Sequence, residues 1–467
     1  MSNLSMNAFK YISPLLALSC ATVCCAQQPP IPIAPPPMVP MFSPSEITTV
    51  MNYWHTPNRF QELPPEDASK TGLFRPHLTV QGSTWLLNYE RSTRTIAAPT
   101  ENSLQNGSPQ TGWNAWIKAK FAYDYAQAEL VAKEYNSLAG DPTPDKGIDV
   151  GAPAPGLCPP GLAAIAGDPP ALAAAEPIHE YKIHFDDCDL TYFDHVAVPP
   201  QYPYYRFDAG INSEGTAVTE MSQDRVDHLY RVAGIDPTIE AAFSAVSALE
   251  GGFDAVNTYD TGFVSVGFIQ FASLTEGGGS LGTMLITYKI KDPNDFQRDL
   301  RQYGIDVTAN GLLAAIDPLT GVEVQGPDAN AEIIREPRLL AVFQRAGLKS
   351  DSFDAAQITS AVLQFYPVND MIPITLQSGP TSIRVGDMIH SEAGMATLTD
   401  RKINTGKITY LSTVLSQVAA EHNLTNANDL SLYELEVIQK MRYRKNYLKD
   451  SNLTQPPAMP NKSQSSS

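Results

Sequence analysis

Residues 250–271 read Glu250-Gly251-Gly252-Phe253-Asp254-Ala255-Val256-Asn257-Thr258-Tyr259-Asp260-Thr261-Gly262-Phe263-Val264-Ser265-Val266-Gly267-Phe268-Ile269-Gln270-Phe271. Upstream of this stretch a helix is signalled by Asp236 as N-cap and Pro237 at the first helical position. Ile239, Phe243 and Val246 then recur at helical spacing, and the same stripe continues to Glu250. A carboxyl group is thus expected in the last helical turn, on the face that should be buried. Gly251-Gly252 ends the helix. Beyond it Val256, Thr258 and Asp260 alternate, Thr261-Gly262 makes a turn, and Phe263, Ser265 and Gly267 alternate again, which reads as a short hairpin.

Helix, carboxyl, hairpin and second carboxylate together suit glycoside hydrolysis, which needs two carboxyl groups in different states. One stays protonated near neutrality and gives its proton to the leaving oxygen. Burial raises a carboxyl pKa by disfavouring the charged form, so Glu250 fits that role. The other stays ionised to activate water or to stabilise positive charge on the sugar. Asp260, beside Thr258, Thr261 and Ser265 and near a turn, fits the second role. The plainer alternative is a helix that ends in Glu before an ordinary hairpin.

The stretch resembles the catalytic segment of the lysozyme-like superfamily. In phage-type lysozymes a helix-end Glu-Gly is followed about ten residues on by Tyr-x-Asp-Thr, a Gly, aromatics, a Thr and another Gly. The matching positions here are Glu250-Gly251, Tyr259-Asp260-Thr261, Gly262, Phe263, Ser265 and Gly267. Tyr and Asp are adjacent in this chain, Ser stands where Thr is usual, and the hairpin turn is one residue shorter. The resemblance implies Glu250 as general acid, Asp260 as the water-activating carboxylate and Ser265 as a helper that holds the water. It implies substrate contacts from Asn257, Tyr259, Phe263 and Gln270, and no cofactor or metal. Gly267-Phe268-Ile269-Gln270 is also similar to a pattern of lytic transglycosylases. Chitosanases of the same superfamily likewise pair a helix-end Glu with an Asp on a Gly-rich hairpin.

The rest of the chain organises outward from this stretch. It has 467 residues, 43% of them hydrophobic, enough for a sizeable core and two domains. A formal net charge of −18 argues against nucleic acid as partner, since phosphate binding needs a basic surface. A neutral or cationic polysaccharide is compatible with it. Residues 1–26 read as an export signal, with Lys10 as sole charge and a short apolar run from Tyr11 to Ser19. Ala17-Leu18-Ser19-Cys20 matches a lipobox, which would make Cys20 a lipidated first residue of a cell-envelope or periplasmic protein. Cleavage after Ala26 is the competing ending. Residues 27–44 are a Pro-rich tether.

Residues 45–221 read as an N-terminal accessory region of unassigned role. Thr84-Trp85-Leu86-Leu87-Asn88-Tyr89 has strand character, and Trp113 to Tyr135 has a broad apolar helical face. Cys158 and Cys188, the only cysteines beyond the signal, are expected to pair as a disulfide in an exported protein. His179, His184, Asp186, Asp187 and His195 match no standard metal spacing. Residues 222–448 read as the lysozyme-like catalytic domain. Within it helices are expected over 224–232, 281–289, 293–302, 332–346, 354–365 and 408–421, with an extended segment at 303–307 and a turn near Pro318. Glu276-Gly277-Gly278-Gly279-Ser280 suggests a flexible cleft rim, with Ser280 capping the next helix. Asp400-Arg401 is a candidate buried pair, and residues 449–467 read as a disordered tail. The fold class expected is α+β, mainly helical, with a short β-hairpin at the cleft.

Overall fold

Prolines and capping residues set most of the helix starts. In the computed structural model Ser43 accepts a hydrogen bond from the Glu46 N–H, and the Glu46 carboxylate returns one from the Ser43 N–H, opening α1 (Pro44–Trp54). The structure describes residues 39–63, 74–79, 81–82, 84–86, 88–89, 109–138, 153–194, 210–247, 251–259, 262–408 and 410–459. The expected signal, most of the tether and Cys20 lie outside them, as do Glu250, Asp260 and His195. The described residues from Pro40 onward belong to one unit.

The further helices are α2 (Pro109–Leu138), α3 (Pro160–Ala166), α4 (Gln223–Ala233), α5 (Pro237–Ser247), α6 (Gly279–Lys291), α7 (Pro293–Asp299), α8 (Pro327–Arg335), α9 (Pro337–Lys349), α10 (Asp351–Phe365), α11 (Glu392–Thr405), α12 (Tyr410–Glu421) and α13 (Glu434–Met441). The strands are short and lie in small antiparallel sheets. β1 (Phe60–Leu63), β4 (Glu180–His184) and β5 (Asp189–Phe193) form one; β2 (Phe74–Leu78) and β3 (Ala173–Pro177) form another. The central sheet runs in chain order through β6 (Asn212–Ser213), β7 (Val256–Asn257), β8 (Ser265–Val266) and β9 (Phe271–Ala272). β10 (Ile305–Val307), β11 (Leu313–Ile316) and β12 (Glu323–Gln325) make a meander, and β13 (Met371–Leu376) and β14 (Gly379–Arg384) a hairpin. The chain is therefore α+β and mainly helical, as its sequence patterns indicate.

Two large apolar cores meet at α5. Phe243 points into the first, which gathers Val226, Leu229 and Tyr230 of α4 with side chains of α6–α10. Ala242 and Val246 belong to the second, with α11–α13 and the β13–β14 hairpin. Fully burying a side chain such as Phe243 contributes roughly 1.5–3 kcal/mol. The first core also takes Val50 and Trp54 of α1 and Ile183 of β4, so packing runs unbroken across residue 221. Trp54 donates its indole N–H to the Tyr303 carbonyl at 3.0 Å. A third, smaller cluster joins Leu78, Trp85, Leu86 and Tyr89 to Ile117 and Phe121 of α2.

Several sequence expectations change here. Described residues within 81–89 are helical rather than extended. Trp85 and Tyr89, four residues apart, share a face toward α2, with the Tyr89 hydroxyl donating to Asn114 Oδ1 at 2.5 Å. The single helix expected over 332–346 is two, because Pro337 lacks an N–H and restarts the helix, with Glu336 accepting from Arg338 N. Ser280 does not cap α6; its hydroxyl accepts from Ala272 N at 2.9 Å and pins β9. The glycine run before α6 is no loose rim. Gly277 adopts φ 73°, and a Cβ there would overlap the backbone of Gly326. Asp400 pairs with Arg444 at 2.6 Å, while the Arg401 guanidinium lies over the Tyr410 and Tyr443 rings. The first part of the expected tail is ordered: Thr454 N donates to Glu392 Oε2 at 2.7 Å, and Leu453 is buried.

The cysteine pairing is also corrected. Cys158 and Cys188 are both free thiols. Cys158 packs against the α2 cluster, whereas Cys188 packs against the first core near the β4–β5 turn. Each thiol is thus claimed by a different apolar surface, whereas a disulfide requires the two Cα atoms within about 7 Å. Burial pushes the Cys188 thiol up to about 11, helped by the negative charge of Asp187. Two free thiols are therefore expected on alkylation of denatured, unreduced protein. In the native state at neutral pH, Cys188 should react on the order of a hundredfold more slowly than an ordinary thiol, because its thiolate fraction is that much smaller.

Candidate functional site around the α5 to β7 junction

Asp236 Oδ1 accepts from Thr238 N at 2.9 Å and starts α5, as the N-cap signal requires. At the other end Gly251 N still bonds to the Ser247 carbonyl at 3.4 Å. The chain then enters a loop held on two sides. Gly252 bridges to Ala217 and donates its N–H to the Glu214 carbonyl at 3.0 Å. Asp254, buried, accepts from Thr216 N at 2.8 Å.

The opposite side is held by one residue of α10. Gln357 is fully buried. Its Nε2 donates to the Phe253 carbonyl at 2.9 Å, and its Oε1 accepts from Phe268 N at 3.2 Å. One amide therefore ties the loop that follows α5 to the turn that follows β8. Gly267 makes that approach feasible: it has φ 85°, and a Cβ there would overlap Gln357 Oε1. Phe253 and Phe268 pack beside this link in a tilted arrangement, with ring centroids 4.7 Å apart.

The hairpin forms at the expected place. Asn257 and Ser265 face each other across the β7–β8 ladder, and both are buried. Asn257 Oδ1 accepts from Tyr259 N at 2.8 Å and shapes the exit from β7. Thr258 is fully buried, with Oγ1 accepting from Ile211 N at 3.1 Å. Tyr259 and Phe263 are half-buried, and Phe263 has φ 65° on the way into β8. Gln270 lies on the turn between β8 and β9. Its Nε2 donates to the Gly267 carbonyl at 3.0 Å, and a Cβ on Gly251 would lie 3.8 Å from that nitrogen. Asn257 and Ser265 are thus brought together in the hairpin, and Gln270 is brought against the glycine that follows Glu250.

Sequence reasoning missed Gln357 and Asp254, the residues that hold this arrangement. It missed Asp354 too, one turn before Gln357 on α10. Burial pushes its carboxyl well above the usual range, against the opposing pull of Arg225, whose Nη2 lies 3.5 Å away. A buried Gln or Asp inside an otherwise apolar helical stripe is the one trace such residues leave in a sequence.

Among the described residues no group of three or more His, Cys, Asp and Glu side chains could hold a metal ion. His179 bonds Asp194 at 2.9 Å, His184 bonds Asp189, Asp186 pairs with Arg59 and Asp187 with Arg345. No helix among the described residues is long and apolar enough to cross a membrane. No family model, curated protein or solved structure matches this chain.

Proposed function

We propose that this chain is an exported glycoside hydrolase acting on β-1,4-linked amino-sugar polymers, with peptidoglycan glycan strands as substrate, on a lysozyme-like fold. The observation that carries the reading is the pinned junction: the chain runs from α5 past Gly251 and Gly252 into the β7–β8 hairpin, and Gln357 ties that loop to the hairpin's far end. Catalysis of this kind depends on two carboxyl groups held in fixed relation, and the buried Gln357 amide supports the reading by fixing the loop after α5 to the turn after β8.

In this reading Glu250 protonates the glycosidic oxygen. The sequence stripe puts Glu250 in the last turn of the helix, where the partial negative charge of a helix C-terminus favours a protonated carboxyl. Asp260 takes a proton from the attacking water, and Ser265 helps hold that water. Export follows from the leader-like sequence, with Cys20 as a candidate lipid attachment point. Gln270, set against Gly251, favours a second reading as a lytic transglycosylase, in which the sugar's own hydroxyl replaces water.

A substrate panel tests the proposal. Purified peptidoglycan should be solubilised, and Asp260→Asn should lower that activity by a factor on the order of 10² or more. Turnover confined to deacetylated chitosan would shift the reading to a chitosanase. Inertness on every glycan, with binding retained, would make the protein a non-catalytic glycan binder.

A further inference from the structure

On another face of α5 lies a cavity of ≈ 990 Å³, bounded by α4, α5 and the chain at 445–453. That is the upper end of the size range of small-ligand sites. Its wall is apolar where Val226, Ala241, Ala245 and Leu453 line it. Two half-buried carboxyl groups, Asp227 of α4 and Glu240 of α5, line it as well. They lie close enough that the Gln223 amide nitrogen reaches Asp227 Oδ1 at 2.7 Å and Glu240 Oε1 at 3.3 Å.

Neither cation lining the cavity forms an ion pair with Asp227 or Glu240. The other charged groups lining the cavity are Arg231 of α4 and Lys445 and Asp450 of the C-terminal segment. Arg231 Nε donates to the Asp227 main-chain carbonyl at 3.2 Å, and Lys445 pairs with Asp450 at 3.1 Å. Two adjacent carboxyl groups beside an apolar wall, in a chain of net charge −18, select a cationic donor. We propose that this cavity binds a primary ammonium group, with the ligand's carbon skeleton against the apolar wall and its N–H donors on Asp227 and Glu240.

Burial, with a hydrogen bond and the charge of Asp227, pushes Glu240 up to about 7. Glu240 is therefore partly protonated near neutrality, and an incoming ammonium displaces that proton. The ligand class follows from the cavity alone and does not rest on the hydrolase reading. An amino sugar with a free amine and a diamino acid side chain both present this group.

The test is calorimetry on the full chain with Nα-acetyl-lysine amide, whose amine stays charged up to about pH 10. Affinity should rise about tenfold from pH 6 to pH 8 as Glu240 ionises, with proton release visible as a buffer-dependent heat. Glu240→Gln and Asp227→Asn should each lower affinity at least tenfold, and the Nε-acetylated probe should not bind. A glucosamine trimer run at pH 6.5 distinguishes the amino-sugar source from the diamino acid source. The raised Glu240 carboxyl destabilises the fold as pH rises from about 4.5 through 7, so Glu240→Gln should melt at or above the parent temperature at pH 8. That measurement separates lost binding from lost folding. Equal binding of parent and both variants, or no binding of either amine by the folded parent, overturns the proposal.

Discussion

Glu250→Gln should fold as the parent does and lose glycan hydrolysis by a factor on the order of 10²–10⁴ or more. The amide keeps the size of the carboxyl but has no proton to give the leaving oxygen. In the proposed role stability should be nearly unchanged, because a protonated acid and an amide of the same size place similar demands on their surroundings. Rate and melting temperature measured on the same preparation check this. A collapsed melting temperature with the same loss of rate would mark Glu250 as structural. Substantial hydrolysis by a well-folded variant would remove it from the mechanism.

Gly267→Ala should cost roughly 2–4 kcal/mol, from left-handed backbone strain plus displacement of Gln357. The added methyl overlaps Gln357 Oε1, so the amide must withdraw from Phe268 N or from the Phe253 carbonyl. Either retreat frees one side of the α5 to β7 junction and leaves a buried polar group unpaired. Under the proposed function hydrolysis should fall further than stability alone explains, since the Gln357 link joins the loop after α5 to the hairpin. Denaturant titration together with rates under folding conditions separates the two effects. A variant with parent-like stability and rate would show that the Gln357 link does not organise the site.

Local signals were readable wherever a residue's own chemistry decided the outcome. The Asp236-Pro237 start of α5, the pairing of 256–257 with 265–266 and the turn after Pro318 all depend on capping, φ preference or alternation within a few residues. The outcomes that depended on distant partners were not. Trp85 and Tyr89 belong to a helical face only because α2 lies beneath them. Ser280 caps nothing because the Ala272 N–H is within its reach. Cys158 and Cys188 stay apart because each packs in a different cluster. Gln357, more than eighty residues from the loop it holds, could not be identified from local pattern at all. The Asp227 and Glu240 pair was equally hidden, since its meaning arises only when α4 and α5 are side by side.

Cleavage of amino-sugar glycan with water as nucleophile leaves its mark in the mass of the products. Purified peptidoglycan should be digested with the parent protein and with Glu250→Gln, and the soluble products resolved by mass spectrometry. Reducing-end muropeptides should come from the parent and nearly none from the variant. Anhydro-muropeptides 18 Da lighter, or equal release by both proteins, would contradict it.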